Sequence, residues 1–224
     1  MVSLLVWYLR LTFFNLRRVS MNKSFIIKII VLCLVTIKVS AIEKIVLFGD
    51  SLMAGYGLSK EKRLSLVLQN KLVNNSYNIE IIDGSVSGST SAGGLNRAEW
   101  SLSESNIDLM ILGLGANDML RGISPTETEK NLEKIIKISK QKNLDVILAG
   151  MIAPTTHGFN YKKKFDNIYP SLAKKYDLDL IPFLLEGVAL KPELNQGDGM
   201  HPNAQGTLII SDTLEKSIIS FIKK

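Results

Sequence analysis

The chain has 224 residues, 46% of them hydrophobic, enough to bury one ordinary core beside a leader segment. Its formal charge is +6, but six of the 27 Lys and Arg residues (Arg10, Arg17, Arg18, Lys23, Lys28 and Lys38) lie within residues 1–41, which hold no Asp or Glu. The other 21 basic residues meet 21 acidic ones, so the body is formally neutral and a nucleic-acid partner is not indicated.

The leader comes first. From Met21 the chain reads Met-Asn-Lys-Ser-Phe-Ile-Ile-Lys, stays apolar from Ile29 to Ile37, and continues as Lys38-Val39-Ser40-Ala41. A charged start, a short apolar core and small residues before a cut site form a signal-peptide pattern. Cleavage is expected after Ala41, which leaves residues 42–224 as one domain exported to the periplasm, with membrane contact at most transient. The apolar run is shorter than the roughly 20 residues that span a bilayer. An uncleaved membrane anchor is the alternative, and Lys38 beside the cut site keeps it open. Leu4 to Phe14 forms a second apolar stretch, which suggests that Met21 is the true start. Cys33, the single cysteine, also lies in the leader, so the body offers no disulfide and no thiolate nucleophile.

The body alternates short apolar runs with helical patterns. Lys44 to Phe48 reads as a buried strand ending in a turn, and Arg63 to Val73 as a helix with Leu64, Val67, Leu68 and Leu72 on one face. Strands follow at Ile79 to Ile82, Leu109 to Leu114, Val146 to Met151 and Leu180-Ile181. Between them the spacing predicts helices over Ser91–Leu102, Pro125–Lys140 and Tyr161–Tyr176, the last interrupted or bent near Pro170. Thr126, with Glu129 three residues on, fits a capping box. Gln205 to Ile222 closes the chain as an amphipathic helix. Strands that are apolar throughout and separated by helices imply a parallel sheet covered on both faces. The predicted fold is therefore α/β, a three-layer αβα sandwich around a flavodoxin-like five-stranded parallel sheet.

In such sheets functional groups gather at the carboxyl ends of the strands. Three polar, glycine-containing loops follow strands there: Gly49-Asp50-Ser51-Leu52, Gly84-Ser85-Val86-Ser87-Gly88 and Gly115-Ala116-Asn117-Asp118. A fourth, Asp198-Gly199-Met200-His201-Pro202, precedes the last helix. Singly each is an ordinary turn. Together they hold what acyl transfer needs: a nucleophile, a base that titrates near neutrality, and donors for an oxyanion. Ser51 is the candidate nucleophile, His201 its base, and Asp198, three residues earlier, the group that orients the imidazole. The backbone N–H groups of Ser51 and Gly88 and the Asn117 amide are the candidate oxyanion hole. With only His157 and His201 as histidines and no cysteine in the body, neither a zinc site nor any other cofactor is expected. His157 reads as a surface residue near the site, Asp50 as a brace for the Ser51 turn, and Asp118 as a brace for the loop that aims Asn117.

These four blocks, in this order, resemble the SGNH (GDSL) hydrolase superfamily, whose Ser, Gly, Asn and His fall on Ser51, Gly88, Asn117 and His201. The match runs from about Lys44 to the C-terminus. It is nearest to the bacterial periplasmic group of multifunctional thioesterases, lysophospholipases and arylesterases, on Gly49 to Tyr56, Gly115 to Gly122, Asp198 to Asn203 and Ile168 to Ala173. The resemblance implies a serine acyl hydrolase acting on small acyl esters, thioesters or lysophospholipids. Met119, Leu120, Ile123, Ala153 and Pro154 are the expected walls of its acyl groove. Ala116 stands where the group often has a second glycine, and Ala153 where it often has a large apolar residue, which leaves acyl-length preference open. Two rivals remain. A carbohydrate deacetylase would share the blocks. A flavodoxin-like binding protein without chemistry would leave Asp198 and His201 unexplained.

Overall fold

The computed structural model describes residues 42–103 and 106–224, so the leader, its cut site and the question of an anchor lie outside the described residues. Five strands form one sheet: β1 (Lys44–Gly49), β2 (Glu80–Asp83), β3 (Leu109–Gly113), β4 (Asp145–Ala149) and β5 (Asp179–Ile181). Their order is β2-β1-β3-β4-β5, and every neighbouring pair is parallel. Ile45 to Gly49 of β1 and all of β3 are buried, as expected of strands covered on both faces.

One helical layer holds α2 (Leu64–Asn74) against α8 (Ala204–Ile222). The other holds α3 (Ser91–Ser101), α5 (Pro125–Gln141), α6 (Phe159–Asp166) and α7 (Ile168–Tyr176). The α/β sandwich read from the alternating pattern is the fold observed. One local reading is corrected. The capping box at Thr126 does not form: Ser124 is the N-cap, and Pro125 takes the first helical position, where its fixed φ and missing N–H cost nothing. The helix expected over 161–176 is interrupted, as read, with the break at Asn167 and Pro170 in the first turn of α7.

The sheet positions the site through the ends of its central strands. Gly49 of β1 pairs with Gly113 of β3 in register. A Cβ on Gly49 would lie 2.5 Å from Met53 Sδ and 2.8 Å from the Gly113 carbonyl oxygen, and one on Gly113 would lie 2.3 Å from the same sulfur. Met53 therefore seats the single-turn helix α1 (Ser51–Ala54) directly on the paired strand ends. A second single turn, α4 (Ala116–Leu120), follows β3. Both were expected as loops, and both are too short for helical periodicity to show.

Candidate active site

Ser51 is the first residue of α1. Its turn closes at both ends: Asp50 caps it by accepting the Leu52 N–H at 3.0 Å, and Gly55 ends it in the left-handed conformation, φ 68°. His201 lies 150 residues away, in the segment that leads into α8, and its Nε2 is 2.9 Å from Ser51 Oγ. Its Nδ1 is 2.6 Å from Asp198 Oδ2. Asp198 Oδ1 accepts the backbone N–H groups of Met200 and His201 at 2.9 and 3.0 Å, so one tight turn fixes carboxylate and imidazole together. Those backbone donors, and then the imidazole, hold the Asp198 carboxyl down at about 2.

The turn is tied down on both sides. An isolated antiparallel bridge pairs Asn195 with Pro202, and Gln196 N donates to the His201 carbonyl at 2.7 Å. The Gln196 side chain donates to Tyr56 O at 2.7 Å and Pro202 O at 3.0 Å, joining the segment after α1 to the histidine turn. The Tyr56 ring lies 4.7 Å from the His201 ring. Tyr56 and Gln196 were not singled out from the sequence. Tyr56 stood inside a recognised motif, but no pattern pairs it with a residue 145 positions on.

The candidate oxyanion donors lie in the segments that follow the neighbouring strands. Gly88 adopts φ 78°, a left-handed conformation with open space where a side chain would be, and Arg121 Nη2 holds its carbonyl at 3.1 Å. Among the described residues, neither the Ser51 nor the Gly88 N–H donates to a protein acceptor. The Asn117 amide, in α4, donates to Asp50 Oδ2 at 3.3 Å and to Ser89 O at 3.2 Å. These bonds are long, so they orient the amide yet can be exchanged for a charged acceptor. Gly115, at φ 118°, passes so close to the Tyr169 hydroxyl that a Cβ would lie 2.2 Å from it, and that hydroxyl donates to Leu114 O at 2.9 Å.

Asp118 reaches further than its own loop. It accepts from Ser91 N at 2.7 Å, from the Ser91 hydroxyl, and from Thr128 Oγ1 at 3.2 Å, so it pins α4 to α3 and α5. Of the expected groove walls, Leu120 and Pro154 are exposed and Met119 and Ile123 are half-buried. Ala153 is 2% exposed, with its N–H on Asp166 Oδ1 at 2.8 Å, and the open apolar side chain beside it is Ile152. His157 is exposed, its ring 5.0 Å from Tyr161 and beside Gly122, so it joins the segments after β3 and β4.

Asp50 is fully buried, and its carboxyl is pushed from 3.8 up to about 6. Burial raises it and outweighs the Leu52 N–H and the Asn117 amide, which lower it. Two pKa units correspond to about 3 kcal/mol. Between pH 4 and 6 the folded protein keeps a proton that the unfolded chain has released, so stability from this group is lost as pH rises through 6. Asp50→Asn removes that titration. The stability difference between Asp50→Asn and the native protein, from urea unfolding at pH 4 and pH 8, is expected to move by about 2 kcal/mol in favour of Asp50→Asn, since the unfolded carboxyl is already partly ionised at pH 4. A difference that does not change with pH would contradict this account.

With this geometry, comparison with known proteins is direct. The GDSL-like Lipase/Acylhydrolase family matches residues 47–208. An arylesterase of Vibrio mimicus is 35% identical over 182 residues, 81% of this chain and 91% of that protein. Thioesterase 1/protease 1/lysophospholipase L1 of Escherichia coli K12 is 35% identical over 187 residues, 84% of this chain and 88% of that one. Among solved structures, the psychrotrophic esterase EstA from Pseudoalteromonas superposes with a TM-score of 0.78 at 31% identity, covering 81% of this chain and all of that one. The chain belongs to the GDSL-like lipase and acylhydrolase family, the serine ester hydrolases of the SGNH fold.

Proposed function

We propose that the protein hydrolyses carboxylic esters and thioesters through an acyl-enzyme on Ser51. The observation that carries the reading is the hydrogen-bonded path from Ser51 Oγ through His201 to Asp198. Ser51 Oγ attacks the carbonyl carbon while its proton passes to His201 Nε2. The carbonyl oxygen becomes an oxyanion held by the N–H groups of Ser51 and Gly88 and the Asn117 amide. When the carbonyl carbon's bond to the alkoxide or thiolate breaks, His201 gives its proton to that leaving group. Water then attacks the acyl-enzyme with His201 as base, releasing the acid and restoring the Ser51 hydroxyl. Asp198 stays ionised throughout, as its low pKa requires, and stabilises the imidazolium.

Ser51→Ala is expected to lower kcat by roughly 10⁶ with the fold intact. Asp198→Ala should lose less than His201→Ala, because the carboxylate orients and stabilises but moves no proton. Asn117→Ala should lower kcat by roughly 10²–10³ with little change in KM. Steady-state turnover of an aryl ester measures all four, and near-native turnover in Ser51→Ala would end the reading.

For substrate, the exposed Leu120 and Ile152 at the sheet's carboxyl end suit an acyl chain, and a single-chain phospholipid or simple ester is the substrate class proposed. Leu120→Ala is expected to reduce kcat/KM for long acyl chains by about tenfold while sparing short ones, the effect of losing apolar contact. Superimposable chain-length profiles would move the groove elsewhere.

We infer export from the signal pattern ending at Ala41. Among the described residues no helix is long and apolar enough to cross a membrane. N-terminal sequencing of the protein from a periplasmic extract is expected to read from Ile42. An intact Met21 segment in the membrane fraction would make the leader an anchor.

A further inference from the structure

We propose that Arg97 is a positioning residue for the oxyanion hole, acting by holding the two segments that carry its backbone donors; this rests on the hydrolase reading. Arg97 lies in α3, outside every recognised motif. Its guanidinium sits over the Phe48 ring, 3.8 Å from the centroid. Nη1 donates to Gly84 O at 2.6 Å and Nη2 to Gly49 O at 3.0 Å. Gly49 ends β1 and lies two residues before Ser51; Gly84 opens the segment that leads to Gly88. One rigid fork thus joins the origins of both segments from a third element. Other bonds stitch the same edge: Gly84 N to Leu47 O at 2.9 Å, Val86 N to Gly49 O at 3.1 Å, and Ser85 Oγ to Leu47 O at 3.0 Å. The fork completes that stitching by fixing the carbonyls at the two strand ends.

The way Arg97 is held argues against a packing role. Its Nε is buried with no acceptor among the described residues, and no carboxylate there pairs with it. An unpaired, half-buried cation carries a desolvation cost that a methionine of similar length would avoid. What a methionine cannot supply is two donors at a fixed angle, and a lysine supplies only a point charge. Gly49 O is the last carbonyl before the turn that aims Ser51 Oγ and Ser51 N, so releasing it moves nucleophile and donor together. A displacement near 1 Å is enough to cost about 100-fold in rate.

The test measures kcat and KM for an aryl ester in the native protein, Arg97→Lys and Arg97→Met, each shown folded by thermal melting. Expected is a fall in kcat of roughly 10- to 100-fold in Arg97→Met and a smaller fall in Arg97→Lys, with KM within about twofold. The Arg97 substitution should also cost less in an Asn117→Ala background than alone, because both act on the same oxyanion. If Arg97→Met does not fold, Arg97→Lys and its Asn117→Ala double variant carry the same comparison. A kcat within about twofold of native in the folded variants, a loss confined to KM, or fully multiplicative losses with Asn117→Ala would overturn the proposal. Labelling of native Ser51 by an organophosphonate separates the two readings. No labelling ends the hydrolase reading, whereas normal labelling with unaffected Arg97 variants ends only this one.

Discussion

Everything at this site depends on how closely β1 and β3 approach at their carboxyl ends. Gly49 and Gly113 are paired, and neither has room for a Cβ, because the sulfur of Met53 occupies the space above both. That side chain belongs to the turn carrying Ser51, so the height of Ser51 above the sheet is set by a contact between a methionine and two bare backbones. The strand pairing then dictates the rest. α1 and α4 leave adjacent strands at the same level, which brings Asp50 of one into contact with Asn117 of the other. The β2 end lies on the other side of β1, bringing the Gly88 segment alongside.

This arrangement works against stability. Asp50 is an acid kept in a place that disfavours its charge, and burial wins over the two hydrogen bonds that support ionisation. A polar neighbour without charge would cap the same turn. What the carboxyl adds is an acceptor for the Asn117 amide, across a long contact of 3.3 Å. Asp118 is treated differently. It too is fully buried, but three donors from α3 and α5 surround it, so its polar group is satisfied and serves as a fixed anchor. Adjacent loops thus hold two buried carboxyls through different sets of donors.

Much of this was legible in the sequence, for physical reasons. The strands are apolar throughout because both faces are covered, and that pattern alone separates a parallel sheet from a half-wet antiparallel one. The Asp198-to-His201 spacing was legible because the turn is local: three residues suffice to close it. Gly88 and Asn117 were legible as residue types at strand ends. The contacts that join distant segments were not. Gln196 reaches Tyr56 over 140 positions, and Arg97 reaches Gly49 over 48, through side chains whose types have many ordinary uses. Thr126 shows the opposite error, a local pattern that matched and was displaced by Pro125, which fits the helix start better.

The Asp198–His201 and His201–Ser51 contacts are held by different means, and this bears on how the site tolerates change. Asp198 and His201 are fixed within one turn by backbone donors, so their mutual geometry survives movement of the turn as a body. The link from His201 to Ser51 has no such local support. It relies on Gln196 bridging to Tyr56, on the Tyr56 ring against the imidazole, and on the bridge between Asn195 and Pro202 at the base of the turn. Tyr56 and Gln196 lie at the surface or half-exposed, where sequence change is ordinarily cheap. Loosening them would leave the Asp198–His201 pair intact and lengthen only the 2.9 Å contact to Ser51, so the least supported contact of the three residues is the span between their two segments.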